Sequence, residues 1–208
     1  MARQSTQQRR DDILDAAIAL FRTKGLMQTA TRDLTETMGI SRSHIYHYFP
    51  NWQALTLAAL EKYMREDLQA VRATLQGEAP AIALLKLADN ILPHQIDSEW
   101  LIYSDTWQAS ARIASYQALA SQVTAAWNQL ILEIIEAGCT AKHFTPVDAG
   151  QVARQISAVI NGYADVLALN PTLAVRQQAL NDISSLMNAL LQPVSPLEPT
   201  ALNAPELR

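Results

Sequence analysis

The four residues Met38-Gly39-Ile40-Ser41 constrain this chain more than any others, because they end one helix and begin another with almost nothing between. Gly39 supplies the stop, since glycine enters the left-handed region without steric cost. Ser41 can cap a new helix two residues later. Upstream, Thr31 is placed to cap a short helix with Leu34 and Met38 on one face at i, i+4 spacing. Ile40 then plugs back toward the core. In the second helix Ile45 and Phe49 form the apolar stripe, leaving Arg42, Ser43, His44, Tyr46, His47 and Tyr48 off it. The stretch at about 30–49 reads as a helix-turn-helix. A helix held by two apolar residues and otherwise covered in donors has the shape of one that enters a DNA major groove.

The net charge of −4 argues at first against a polyanionic partner. Dividing the sequence removes the difficulty. Residues 1–52 carry seven cations (Arg3, Arg9, Arg10, Arg22, Lys24, Arg32, Arg42) against five acids, so the basic excess of +2 sits in the head and the remainder holds −6. An excess this small predicts binding through a few well-placed contacts. Nearly half the residues are apolar and only six are glycine, which suits a sizeable helical core. The single Cys139 excludes an intrachain disulfide framework and fits a reducing, cytoplasmic setting. With no signal-peptide pattern and no apolar run of about 18 residues, neither export nor a membrane partner is expected.

Helix signals recur along the chain, and no useful β alternation interrupts them. A first helix is expected over 7–24, closed by Gly25. Asn51 caps a long helix to about Leu75, and Pro80 opens another that stops near Pro93. Asp97 or Ser98 caps the helix holding Trp100, Tyr103 and Trp107. The next runs from about Tyr116 to Ala137 and ends at Gly138. Thr145-Pro146-Val147-Asp148 opens a helix to Leu169, and Asn170-Pro171 starts the last, ending near Leu191. The Pro-rich stretch 193–208 reads as a disordered tail. The chain is thus expected to be all-α, with about nine helices. A three-helix DNA-binding domain covers 7–67, and a helical ligand-binding and dimerisation domain covers 80–192.

The order of residues in the head is specific: AAIALF and Gly25, then T-x-x-L-x-x-x-M-G-I-S-x-x-x-I-Y-x-Y-F from Thr31 to Phe49, then a cap and Leu55. Residues 9–60 resemble the TetR family. That resemblance implies a homodimeric repressor of a DNA operator whose helical C-terminal domain takes a small-molecule effector. The segment 144–169 looks like the corresponding part of the choline-responsive, BetI-like subgroup.

Carried over onto this sequence, the resemblance puts Thr31 and Arg32 at the start of the supporting helix, where the family contacts phosphates and sometimes bases. Arg42, Ser43, His44 and His47 fall on the base-reading face, and Tyr46 and Tyr48 at positions whose hydroxyls touch phosphates. Ser41 caps the helix that carries that face, and Asn51 caps the helix that follows it. The chemistry agrees, since arginine reads guanine with paired bonds and hydroxyls suit phosphate oxygens. Trp52 departs from the family pattern, which commonly has a phosphate-binding lysine there. Arg3, Arg9 and Arg10 read either as a minor-groove arm or as a loose charged terminus. His44 and His47 lack the third ligand a metal would need, and no cofactor is expected.

In the body, Trp100, Tyr103 and Trp107 share a helical face at i, i+3, i+7, with Glu99 and Asp105 nearby in sequence. Tyr116, Trp127, Asn161 and Tyr163 are candidates to approach from other helices. Such rings beside a carboxylate could hold a cationic or aromatic effector, or simply form core. The stripes Val152, Ile156, Val159, Ile160, Tyr163 and Leu180, Ile183, Leu186, Met187, Leu190 offer either a dimer surface or an internal core. No phosphate loop, nucleophile elbow or metal spacing points to an enzyme. The alternative to a regulator is a helical small-molecule-binding or interaction protein with weak DNA recognition, favoured by Trp52 and the low basic charge.

Overall fold

The computed structural model describes residues 5–94 and 98–199. Those residues form nine α-helices and no strand: α1 (Thr6–Lys24), α2 (Thr31–Met38), α3 (Arg42–Tyr48), α4 (Trp52–Thr74), α5 (Pro80–Ile91), α6 (Ser98–Ser110), α7 (Ala114–Thr140), α8 (Ala149–Leu169) and α9 (Leu173–Leu191). They sort into two compact units. One holds α1–α3, α4 as far as Asp67, α6, and α7 as far as Val123; the other holds the rest of α4 and α7 with α5, α8 and α9.

In the first unit α1 packs on α2 and α6, and α2 packs on α3. The core here is Ile13, Leu14, Ala17 and Phe21 of α1 with Leu34, Ile45, Phe49, Leu55 and Leu60, all essentially closed to solvent. Burying side chains of this size stabilises by about 1.5–3 kcal/mol each before chain entropy is counted. Gly39 takes the left-handed conformation at φ 62°, as the tight turn requires, and its N–H donates to the Thr35 carbonyl. Ser41 accepts from the His44 amide and Asn51 from the Ala54 amide, so both helix starts are capped as their sequences predict. Thr31 does not cap α2. Ala30 occupies that position, and its N–H donates to the Asp33 carboxylate at 2.7 Å.

In the second unit α8 packs along α9, and α5 lies against both. Val152, Ile156, Ile160, Leu180, Ile183 and Met187 fill this core. The two stripes that could have formed a dimer surface therefore mainly serve the chain's own interior; Val159, Tyr163, Leu186 and Leu190 are half-buried at its margin. Arg176 is buried and bridges α9 to α5, donating to both the carbonyl and the carboxylate of Asp89 at 2.7 Å.

Four local expectations fail here. Gly138 does not end α7, which runs on to Thr140; its missing side chain admits the Phe144 ring, which any Cβ would meet at 2.2 Å. Thr145-Pro146 does not open α8. Asp148 is the cap, accepting from the Gln151 amide, while the Thr145 hydroxyl and amide both donate to the Leu191 carbonyl. Asn170 closes α8, and Thr172 is the residue that caps α9. The stretch from 193 to 199, expected to be disordered, is docked instead: Leu197 is buried, exchanges two hydrogen bonds with Asn188 and accepts a third from Ser184. Residues 200–208, Asp97 and Arg3 lie outside the described residues.

Candidate nucleic-acid interface

The seven-residue α3 is fixed to the unit by Ile45 and by Phe49 just beyond it, and turns the rest of its surface outward. Arg42, Ser43, Tyr46 and His47 are exposed; His44 and Tyr48 are half-buried. Ser43 lies 2.9 Å from the capping Ser41 hydroxyl. Tyr48 receives two edge-on histidine rings, His44 at 5.4 Å and His47 at 5.1 Å between centroids. These contacts stiffen the outer face of a helix too short to be stable alone.

Three contacts join this face to its supports. The Tyr46 hydroxyl lies 3.1 Å from that of Thr31, the buried first residue of α2. Arg9 Nε donates to His44 Nε2 at 3.5 Å, and the Arg10 guanidinium stands over the Phe49 ring at 4.9 Å. Arg9 and Arg10 are thus turns of α1 set beneath α3, neither a minor-groove arm nor a loose terminus. Their positions were not legible locally, since the partners lie 35 and 39 residues away. Thr31 and His44, expected on the DNA side, face protein partners, whereas Arg32 is fully outward and paired with Glu36 at 2.6 Å.

Lys24 pairs with Asp33, and that hydrogen bond, with the Ala30 amide adding to it, holds the Asp33 carboxyl below its usual range. Lys24 is therefore spent on structure. Asn51 caps α4, so the amides of Trp52 and Gln53 begin a helix whose first N–H groups have no intrahelical acceptor, a setting suited to a phosphate. Trp52 itself is half-buried. The outward set is thus Arg32, Arg42, Ser43, Tyr46, His47 and the start of α4.

The aromatic residues of the body divide between the two units. In the first unit the Tyr103 ring lies 5.7 Å from Trp107 and 6.2 Å from Tyr63 of α4, and its hydroxyl donates to Asp67 at 2.7 Å. Burial pushes the Asp67 carboxyl up, against the opposing effect of Tyr103 and the Arg22 charge. Burial also raises the Asp105 carboxyl. Trp100 is half-buried, and Tyr116 is buried with its phenol raised by that burial. In the second unit Trp127 packs at the core margin, Asn161 donates back to Ser157, and Tyr163 donates to Asp182, which raises the tyrosine. Tyr63, Asp67 and Arg22 escaped sequence reading, although Tyr63 and Asp67 share a face of α4 at i, i+4.

Residues 13–59, from within α1 to the first turns of α4, match the family of bacterial regulatory proteins called tetR. Residues 80–192, more than half the chain, match the C-terminal domain of BetI-type transcriptional repressors. The chain belongs to the TetR family. An uncharacterised HTH-type transcriptional regulator of Bacillus subtilis, YuxN, is 31% identical over 88 residues, covering 40% of this chain and 30% of that protein. The match thus spans under a third of that relative's length. A TetR-family regulator from Cytophaga hutchinsonii superposes with a TM-score of 0.76 at 22% identity, over 93% of this chain and all of that one. A transcriptional regulator from Saccharomonospora viridis, solved in complex with choline, gives 0.73 at 22% identity, over 89% and 98% of the two chains. At these identities the likeness is one of fold. As a TetR-family member the protein is a DNA-binding transcriptional regulator and not an enzyme. Among the described residues, no helix is long and apolar enough to cross a membrane.

Proposed function

We propose that this TetR-family protein is a homodimeric repressor of a palindromic operator, released by a small-molecule effector. The observation that carries this reading is the outward face of α3, where Arg42, Ser43, Tyr46 and His47 are exposed on a helix anchored by Ile45 and Phe49. Arg42 and His47 read base edges; Arg32, Tyr46, Tyr48 and the Asn51-capped start of α4 hold phosphates. Thr31 and Ser41 act indirectly, by fixing Tyr46 and the start of α3. His44 does so by bracing Tyr48.

A palindromic site needs two reading helices about 34 Å apart, hence two protomers. The last two helices supply their contact. With the inner stripes of α8 and α9 committed to the core, the outward line of α8 (Gln151, Arg154, Gln155, Ala158, Gly162, Asp165) and the exposed Val166, Leu169 and Leu173 are what remain for it.

The effector is an organic cation or a flat aromatic molecule. Tyr103 and Trp107, on the helix that also carries Trp100, together with Tyr63 and the half-buried Asp67 support this, as does the choline bound by the Saccharomonospora viridis regulator. Effector releases DNA only to the extent that it binds the released state better.

A gel-shift titration against the DNA upstream of the protein's own gene tests the reading. Specific retardation that weakens steeply with salt, and is reversed by a quaternary ammonium compound, is expected. Retardation of all DNA alike would overturn it in favour of a small-molecule-binding protein that keeps the head as a scaffold.

A further inference from the structure

The aromatic rings and carboxylate that suit a foreign cation already have a cation of the chain's own. The Arg22 guanidinium, in the last turn of α1, lies over the Tyr63 ring at 5.2 Å. Tyr63 leads on to Tyr103 and Trp107 of α6, with centroids 6.2 and 5.7 Å apart in turn. One turn along α4 from Tyr63, Asp67 accepts the Tyr103 hydroxyl at 2.7 Å. Cation, rings and acid come from three helices and lie in one compact unit.

We propose that Arg22 is a positioning residue for DNA binding: a built-in cation that clamps α1 to the aromatic ladder of α4 and α6. This rests on the operator-binding reading above. The reasoning follows the course of α1. At one end the helix carries Arg9 and Arg10, set against His44 and Phe49 beneath the reading helix. At the other it carries Arg22. Twelve residues of helix form a rod of about 18 Å, so a displacement of the ladder that breaks the Arg22 contact reaches the support of α3 through a rigid element. A guanidinium is the right head group for the clamp, being flat, permanently charged and weakly hydrated, whereas an ammonium is compact and holds its water.

The test uses Arg22→Gln and Arg22→Lys in the full-length protein, with DNA selected by the wild type from a random pool. Operator affinity is expected to fall in the order wild type, Arg22→Lys, Arg22→Gln, with about three- to tenfold between the ends. In thermal denaturation, Arg22→Gln and Tyr63→Leu are expected to be non-additive when combined. Additive melting shifts would overturn the clamp. Non-additive melting with unchanged affinity for Arg22→Gln would overturn its positioning role, leaving a packing contact. Failure of the wild type to select any DNA would instead sink the operator reading, and the thermal cycle alone would then decide whether the clamp exists.

Discussion

The hydroxyl of Thr31, buried at the start of α2, lies 3.1 Å from the phenol oxygen of Tyr46 in the middle of α3. This bond crosses the turn at Gly39 and adds to the apolar contacts of Ile45 and Phe49 in setting the angle between the two helices. Tyr46→Phe is expected to cost about 0.5–1.5 kcal/mol of stability and to weaken operator binding further by removing a phosphate donor. Thr31→Val removes the same bond without touching the DNA face. Comparing the two by melting and gel shift separates the roles: equal losses of affinity would mean that Tyr46 acts only through Thr31.

Arg42 is exposed, and nothing of the fold rests on it. Arg42→Ala should leave the melting temperature unchanged and remove about 1–3 kcal/mol of discrimination at one base position in each half-site. Selection from a random pool would show that position relaxed. An unaltered consensus would place base reading elsewhere on α3.

Arg32 gives a contrasting result. Its partner in the free protein is Glu36, on the surface, so the pair contributes little to stability. Arg32→Ala should weaken binding to all sequences alike and reduce the salt slope by about one for each half-site contact. Glu36→Gln should do the reverse, strengthening binding by releasing Arg32 to a phosphate.

Much of this was legible in the residues themselves. Gly39, Ser41, Asn51 and Pro80 act within one helical turn of their own positions, and each marks its boundary as read. The misread boundaries have other causes. Asp33 makes Ala30 an adequate start for α2, and Phe144 packs against Gly138 so that α7 continues. The Leu191 carbonyl takes both donors of Thr145, leaving Asp148 to cap α8. In the candidate interface the type of residue was readable but not its direction. Thr31 and His44 carry suitable polar groups and turn them toward Tyr46 and Arg9, partners that no local spacing reveals. The aromatic stripe of α6 could be seen, but its companions on α1 and α4 lie tens of residues away.

Asp67 gives the first unit a pH response of definite sign. Burial raises its folded pKa above the unfolded value, so the folded state holds the proton more tightly. Its contribution is therefore fully present below the ordinary aspartate range. It is lost as pH rises through the raised folded value. Asp67→Asn, which keeps an acceptor for Tyr103, is expected to flatten this part of the profile and to raise the melting temperature at neutral pH relative to wild type. Melting curves from pH 4 to 8 would check it; parallel profiles would show that Asp67 does not titrate differently on folding.

In the second unit, Asp89 takes two roles toward the buried Arg176, through its carboxylate and its carbonyl. Asp89→Ala leaves the carbonyl bond but strands the charge. Removing one partner of a buried pair costs about 3–5 kcal/mol. The Asp89 side chain retains about a third of its exposure, so water can partly replace it and about 2 kcal/mol is expected. Arg176→Met, which removes the charge as well, should cost less by urea denaturation.

The seat taken by Leu197 moves the end of the folded body beyond the last helix. Proteolytic cleavage between Gln192 and Leu197 should therefore be slow. A version shortened to α9 would lose the acceptor for Ser184 and both partners of Asn188, and would open a greasy slot beside them. Fusions and affinity tags belong after this segment, and a chain trimmed to its helices should melt at a lower temperature.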